Sequence, residues 1–216
     1  MKILKGISAV ALLLVGIATP SFATSLTPGN SVVPGVISDS SATLVANTGA
    51  IPFNFGGDTG NVVERVVTNW AGNPFGAGDL AFIFEIQVTG GNVVNLTTQS
   101  YNIPGILVDV SQINGGIFGT PTTQAISASW TSNGQVIGFG FTPPNGLTAG
   151  NISYALVIST NQTLFMPGVF SLQDGQTQNF DGFVPTAATP EPGSLALLGT
   201  GLLGVAGVAR RRFFRK

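Results

Sequence analysis

The stretch Leu80-Ala-Phe-Ile-Phe-Glu-Ile-Gln-Val88 suits little other than a β-strand. Leu80, Phe82, Phe84, Ile86 and Val88 recur at every second residue, and successive side chains of an extended chain point to opposite faces. One face is therefore wholly apolar. The other carries Ala81, Ile83, Glu85 and Gln87 and turns polar toward its end. Such a strand must lay its apolar face on a second layer. The alternation returns at Val62 to Thr68, Ile126 to Trp130, Val136 to Phe141 and Ile152 to Ile158. Shorter candidates are Ala42 to Ala46, Val93 to Thr97, Ile106 to Val110 and Val169 to Leu172. Ser132-Asn133-Gly134-Gln135 reads as an Asn-Gly turn of the kind that closes two-residue hairpins. Turn residues separate the runs at short intervals, and no long helical period interrupts residues 24–188. The expectation is an all-β chain: a single antiparallel β-sandwich domain, with Phe82, Phe84, Ile86, Ile137, Phe139, Leu156 and Ile158 in one core.

Composition narrows the chemistry. There is no cysteine and no histidine. That removes disulfides, thiol nucleophiles, zinc sites built on these ligands and histidine-based triads. Charge is unevenly placed. Lys2 and Lys5 precede the first apolar run, and Arg210, Arg211, Arg212, Arg215 and Lys216 follow the last. Residues 24–188 carry eight acids and one base, Arg65, a net charge of −7. No basic patch is available to neutralise phosphates, so nucleic acid is not an expected partner.

The two ends read as targeting segments. Residues 1–23 have a basic start, an apolar core and small residues before a cleavage point between Ala23 and Thr24, the pattern of a secretory signal peptide helix. At the other end, Pro190-Glu191-Pro192 precedes an uncharged run, Gly193 to Ala209, and then the basic cluster. The run makes a helix of roughly 25 Å at ~1.5 Å per residue, just short of a ~30 Å hydrocarbon core. It reads as a short transmembrane helix, with Arg210, Arg211 and Arg212 as the membrane stop on the cytoplasmic side. Pro190 and Pro192 hold the segment before it extended. The expected division is a signal peptide at 1–23, an exported domain at 24–183, a linker at 184–188 and the tail at 189–216.

Triplet, apolar helix and basic end, in that order, resemble the PEP-CTERM sorting tail of exosortase substrates. The resemblance covers about the last 28 residues. It implies that an inner-membrane exosortase is the partner and that Pro190, Glu191 and Pro192 are its recognition residues. It also implies a transient N-out, C-in anchor that is cut near the triplet, then release to the cell surface or extracellular matrix. Such proteins are linked to exopolysaccharide, which becomes the second expected partner. Val62 to Thr68, Asp79 to Phe84, Gly138 to Gly146 and Leu156 to Asn161 more loosely resemble a group of PEP-CTERM proteins with one β-rich exported domain. That group supplies no activity. The expected function is a non-enzymatic surface or matrix protein that needs no cofactor.

Three rival chemistries have candidate residues. A carboxylate pair for glycoside hydrolysis could come from Glu64 and Glu85 if they faced one another across a sheet. The plainer reading makes both solvent-face residues. Calcium could use the oxygens of Asp174 to Gly182 or of Asp58-Thr59-Gly60-Asn61, although Asx turns account for both stretches. A carbohydrate-binding module would need an aromatic platform, for which Trp70, Trp130, Tyr101 and Tyr154 are the candidates. Trp130 and Tyr154 are in phase with apolar neighbours and read as core, which leaves loop-borne Trp70 as the aromatic to test.

Overall fold

The computed structural model of the chain describes residues 24–38, 41–142, 146–187 and 200. The elements with described bounds are all strands. In chain order they are β1 (Thr24–Leu26), β2 (Ser31–Val32), β3 (Gly35–Ile37), β4 (Thr43–Asn47), β5 (Ile51–Phe55) and β6 (Asp58–Thr68). Then come β7 (Ala81–Gly90), β8 (Asn92–Val93), β9 (Asn95–Thr98), β10 (Val108–Ile113) and β11 (Ser127–Trp130). The last are β12 (Ile137–Gly140), β13 (Leu147–Thr148), β14 (Ala155–Thr160), β15 (Leu164–Asp174) and β16 (Gln176–Thr186).

Two large sheets result. The first has eight strands in the order β1-β10-β14-β7-β6-β4, with β3 also on β10 and β5 also on β6. The second has six, in the order β16-β15-β9-β12-β11-β2. Pairing within both is antiparallel apart from β3 on β10. One apolar cluster draws on both sheets. Phe82, Phe84, Ile86, Leu156 and Ile158 come from the first; Leu96, Ile137, Phe139, Phe170 and Leu172 come from the second. All seven residues expected to share a core lie in it. Phe84 and Phe170 meet edge to face across the layers, with ring centroids 5.4 Å apart, a preferred geometry for aromatic pairs.

The register of β6 on β7 decides what each face carries. Val62, Glu64 and Val66 stand opposite Ile86, Phe84 and Phe82 on the inner face. Val63, Arg65 and Val67 stand opposite Glu85, Ile83 and Ala81 on the outer face. That outer face is covered as well: Val67, Ala81, Ile83, Ala155 and Val157 pack with Ile37, Ile113 and Trp70 in a second, smaller cluster.

Several local expectations are corrected. The β11–β12 hairpin closes through a four-residue loop, Ser132 to Gln135, because Thr131 N–H bonds to Val136 C=O and Asn133 Oδ1 accepts from Gln135 N–H. Gly134 has a φ of 72° there. β14 begins at Ala155, and Ile152 makes only an isolated bridge to Gln87. Most of Asp174 to Gly182 is not a loop. Asp174 and Asp181 sit on the two arms of the β15–β16 hairpin, which turns at Gly175 with a φ of 65°. β16 also runs on through Val184, Pro185 and Thr186, positions that read as linker by composition. Val184 is buried, and proline is tolerated at this sheet edge. Residues 1–23 and residues 188–216 other than Thr200 lie outside the described residues. Among the described residues no helix is long and apolar enough to cross a membrane.

Candidate functional site

The residues expected to direct sorting, Pro190, Glu191 and Pro192, lie outside the described residues, as do Arg210, Arg211, Arg212 and Ala23. Thr24 opens β1 and pairs with Val110. The chemistry that the described residues do bring together lies on β6 and β7.

Glu64 and Glu85 are both fully buried, which corrects the expectation that they face solvent. They also point to opposite faces of the sheet, so they do not form a pair across it. Glu64 enters the space between the sheets. Its Oε2 accepts the Phe183 N–H at 2.8 Å, while Oε1 has no hydrogen-bond partner. β16 has a neighbour strand on one side only, so N–H groups on its other edge need acceptors from elsewhere. Glu64 supplies one of them. Gly182 makes this approach possible, because a Cβ there would run into the carboxyl and the Phe170 ring. Burial pushes the Glu64 carboxyl up to about 8, and the Phe183 bond only partly offsets it. At neutral pH this acid is mostly protonated. Tyr101, fully buried against Phe82, is also pushed up, first by burial and then by the field of Glu64.

Glu85 occupies the outer face with better company. Its Oε2 accepts the Ile117 N–H at 2.6 Å and its Oε1 the Phe118 N–H at 3.1 Å. Burial raises its carboxyl, while these two bonds and the charge of Arg65 pull it back. The two bonds tie the segment after β10 down onto the sheet. Gly116 rests directly on the carboxylate, where a Cβ has no room. On the same face of β10, Asp109 is buried with Oδ1 unpartnered, and burial pushes its carboxyl up to about 6.

Beside Glu85 the outer face holds a cavity of about 250 Å³. Val67, Ile83, Ile113 and Ala155 are among its walls, with Gly115 and Gly116 from the pinned segment. Arg65 and Trp70 complete it. Each of these two carries a buried nitrogen, Nε and Nε1, without a hydrogen-bond partner. Arg65 is the one cation among the described residues. The sequence marks Trp70 as the loop-borne aromatic to test and gives Arg65 no role. The signal available was that Arg65 is in phase with Val63 and Val67, and not with Glu64.

The remaining candidates resolve into local structure. Asp58 Oδ1 accepts the Asn92 N–H at 2.9 Å. Trp70, Trp130 and Tyr101 are buried. Tyr154 is half-buried. Asp39 lies outside the described residues.

Residues 188–212 match the family model of the PEP-CTERM protein-sorting motif. The match takes in the triplet, the apolar run and the first three arginines of the basic cluster. No curated protein and no solved structure matches the chain. The chain therefore carries a PEP-CTERM sorting motif, the mark of exported exosortase substrates. The motif covers the tail and leaves the β-strands outside it.

Proposed function

We propose that this chain is a non-enzymatic cell-surface or extracellular-matrix protein whose two sheets form one exported β-sandwich, delivered by exosortase sorting. The observation that carries the reading is the sorting motif at 188–212, set behind a long β-rich segment. In this account residues 1–23 start export and are removed after Ala23. The apolar run then halts in the inner membrane, held by Arg210, Arg211 and Arg212. Proline on both sides of Glu191 keeps the recognition segment extended, the form that a peptide-cleaving site accepts most readily. Exosortase cuts near it, and the sandwich leaves the inner membrane for an exopolysaccharide-rich surface.

The placement of the rival residues supports the non-enzymatic reading. Glu64 and Glu85 stand on opposite faces of one sheet, whereas glycoside hydrolysis needs two acids in one cleft. Trp70, Trp130 and Tyr101 are buried and offer no exposed ring for a sugar. The test is Glu191→Ala in a host that has exosortase, followed by membrane fractionation. The wild type is expected outside the inner membrane, with the variant retained there carrying its whole tail. Unchanged processing of the variant would remove the recognition role from the triplet.

A further inference from the structure

The Arg65–Trp70 cavity stands apart from sorting, and its lining is chemically one-sided. Its side-chain polar groups are the Arg65 guanidinium and the Trp70 indole N–H, both of which only donate hydrogen bonds. Ala42, Leu44, Val67, Ile83, Ile113 and Ala155 give the rest of the wall an aliphatic surface. Glu85, which feels the charge of Arg65, already accepts two backbone N–H groups, and Arg65 Nε has no hydrogen-bond partner. A donor nitrogen buried without a partner is costly. Trp70 is 2% exposed, and its indole nitrogen has no hydrogen-bond partner within the protein. The ladder of β6 on β7 fixes the backbone of Arg65, and Gly72 packs against the Trp70 indole with no space for a Cβ.

We infer that this cavity binds a small organic carboxylate, with the carboxylate at Arg65 and Trp70 and a short apolar body along Val67, Ile83 and Ile113. A guanidinium fork matches a carboxylate in two parallel hydrogen bonds. The volume of about 250 Å³ equals roughly eight waters at ~30 Å³ each, and lies just below the ~300 Å³ at which pockets for drug-sized ligands begin. It suits a molecule on the order of ten non-hydrogen atoms.

Calorimetric titration of the full chain near neutral pH with hexanoate, and with hexanamide as its uncharged counterpart, tests this. Saturable single-site binding of hexanoate is expected, with hexanamide weaker by about tenfold or more, as loss of a charge-assisted bond implies. Arg65→Gln should weaken hexanoate by about tenfold or more and bring it level with hexanamide. Trp70→Phe keeps the packing but removes the N–H, and should weaken hexanoate by roughly three- to tenfold with the melting midpoint nearly unchanged. Absence of saturable hexanoate binding overturns the inference. So does equal binding of acid and amide, or an Arg65→Gln variant that binds hexanoate as the wild type does. None of these results depends on how the tail is processed.

Discussion

The inner and outer faces of the β6–β7 pair bury one glutamate each and treat it differently. On the inner face Glu64 lies between two sheets, among Val62, Val66 and Phe84, and has one backbone donor. On the outer face Glu85 lies beneath a loop, with two backbone donors and Arg65 nearby. The inner acid is pushed up to about 8 and stays protonated through neutral pH. The outer acid is raised too, but three influences oppose burial instead of one. A closed interlayer excludes charge, so an acid there is kept by neutralising it. A face covered by loops can supply donors and a cation, which offset part of the cost of burial.

The largest effect that should separate the faces is packing. Phe84→Ala removes the aromatic contact between the layers and is expected to cost about 3–5 kcal/mol. Ile83→Ala, one residue away on the outer face, borders an existing cavity and should cost about 2 kcal/mol. Chemical denaturation of both variants checks this. Equal losses would mean that the faces are packed alike.

The next effect is pH dependence. Glu64 titrates near 4.5 when unfolded and about 8 when folded, so the folded state binds the extra proton. Its contribution is fully present below pH 4.5 and is lost as pH rises through 8. Between pH 4.5 and pH 7 the loss is roughly 3 kcal/mol at ~1.4 kcal/mol per unit. Glu85 and Asp109, also raised, add slope of the same sign. Glu64→Gln keeps an acceptor for Phe183 and should flatten most of the slope, whereas Glu85→Gln should flatten less. Denaturant midpoints across this range would sharpen the contrast, or break it if the two variants behave alike.

The smallest effects concern the glycines that let each acid in. Gly182→Ala drives a methyl group into Glu64 and Phe170 within a closed core, at about 1–3 kcal/mol. Gly116→Ala presses on Glu85 from a loop that borders a cavity, and should cost about 1 kcal/mol. Melting curves of the two variants decide the order.

The period-two runs made the inner core legible, because Phe82, Phe84 and Ile86 alternate without interruption. The burial of the two acids is hidden in the sequence for different reasons. Glu64 shares the phase of Val62 and Val66, and that phase was the better guide than its charge; a proton makes its burial tolerable. Glu85 shares the phase of Ala81 and Ile83 on a face covered by Trp70 and the segment after β10. No local periodicity announces such a cover. β16 was missed because Gln176 to Thr186 is polar and contains proline; its apolar phase rests on Phe180 and Val184 alone. The cavity is assembled from β4, β6, β7, β10, β14 and three loop segments, so no single stretch could reveal it. The tail is the reverse case, since its order of triplet, apolar run and basic end is readable from the linear chain.

The account rests on this two-faced domain being the cargo of that tail. Intact mass of the mature wild-type protein, recovered from a host with exosortase, tests it most directly. The predicted mass lacks residues 1–23 and everything beyond a point near Pro190 to Pro192. A mature protein that still carries Leu195 to Lys216 would contradict the account.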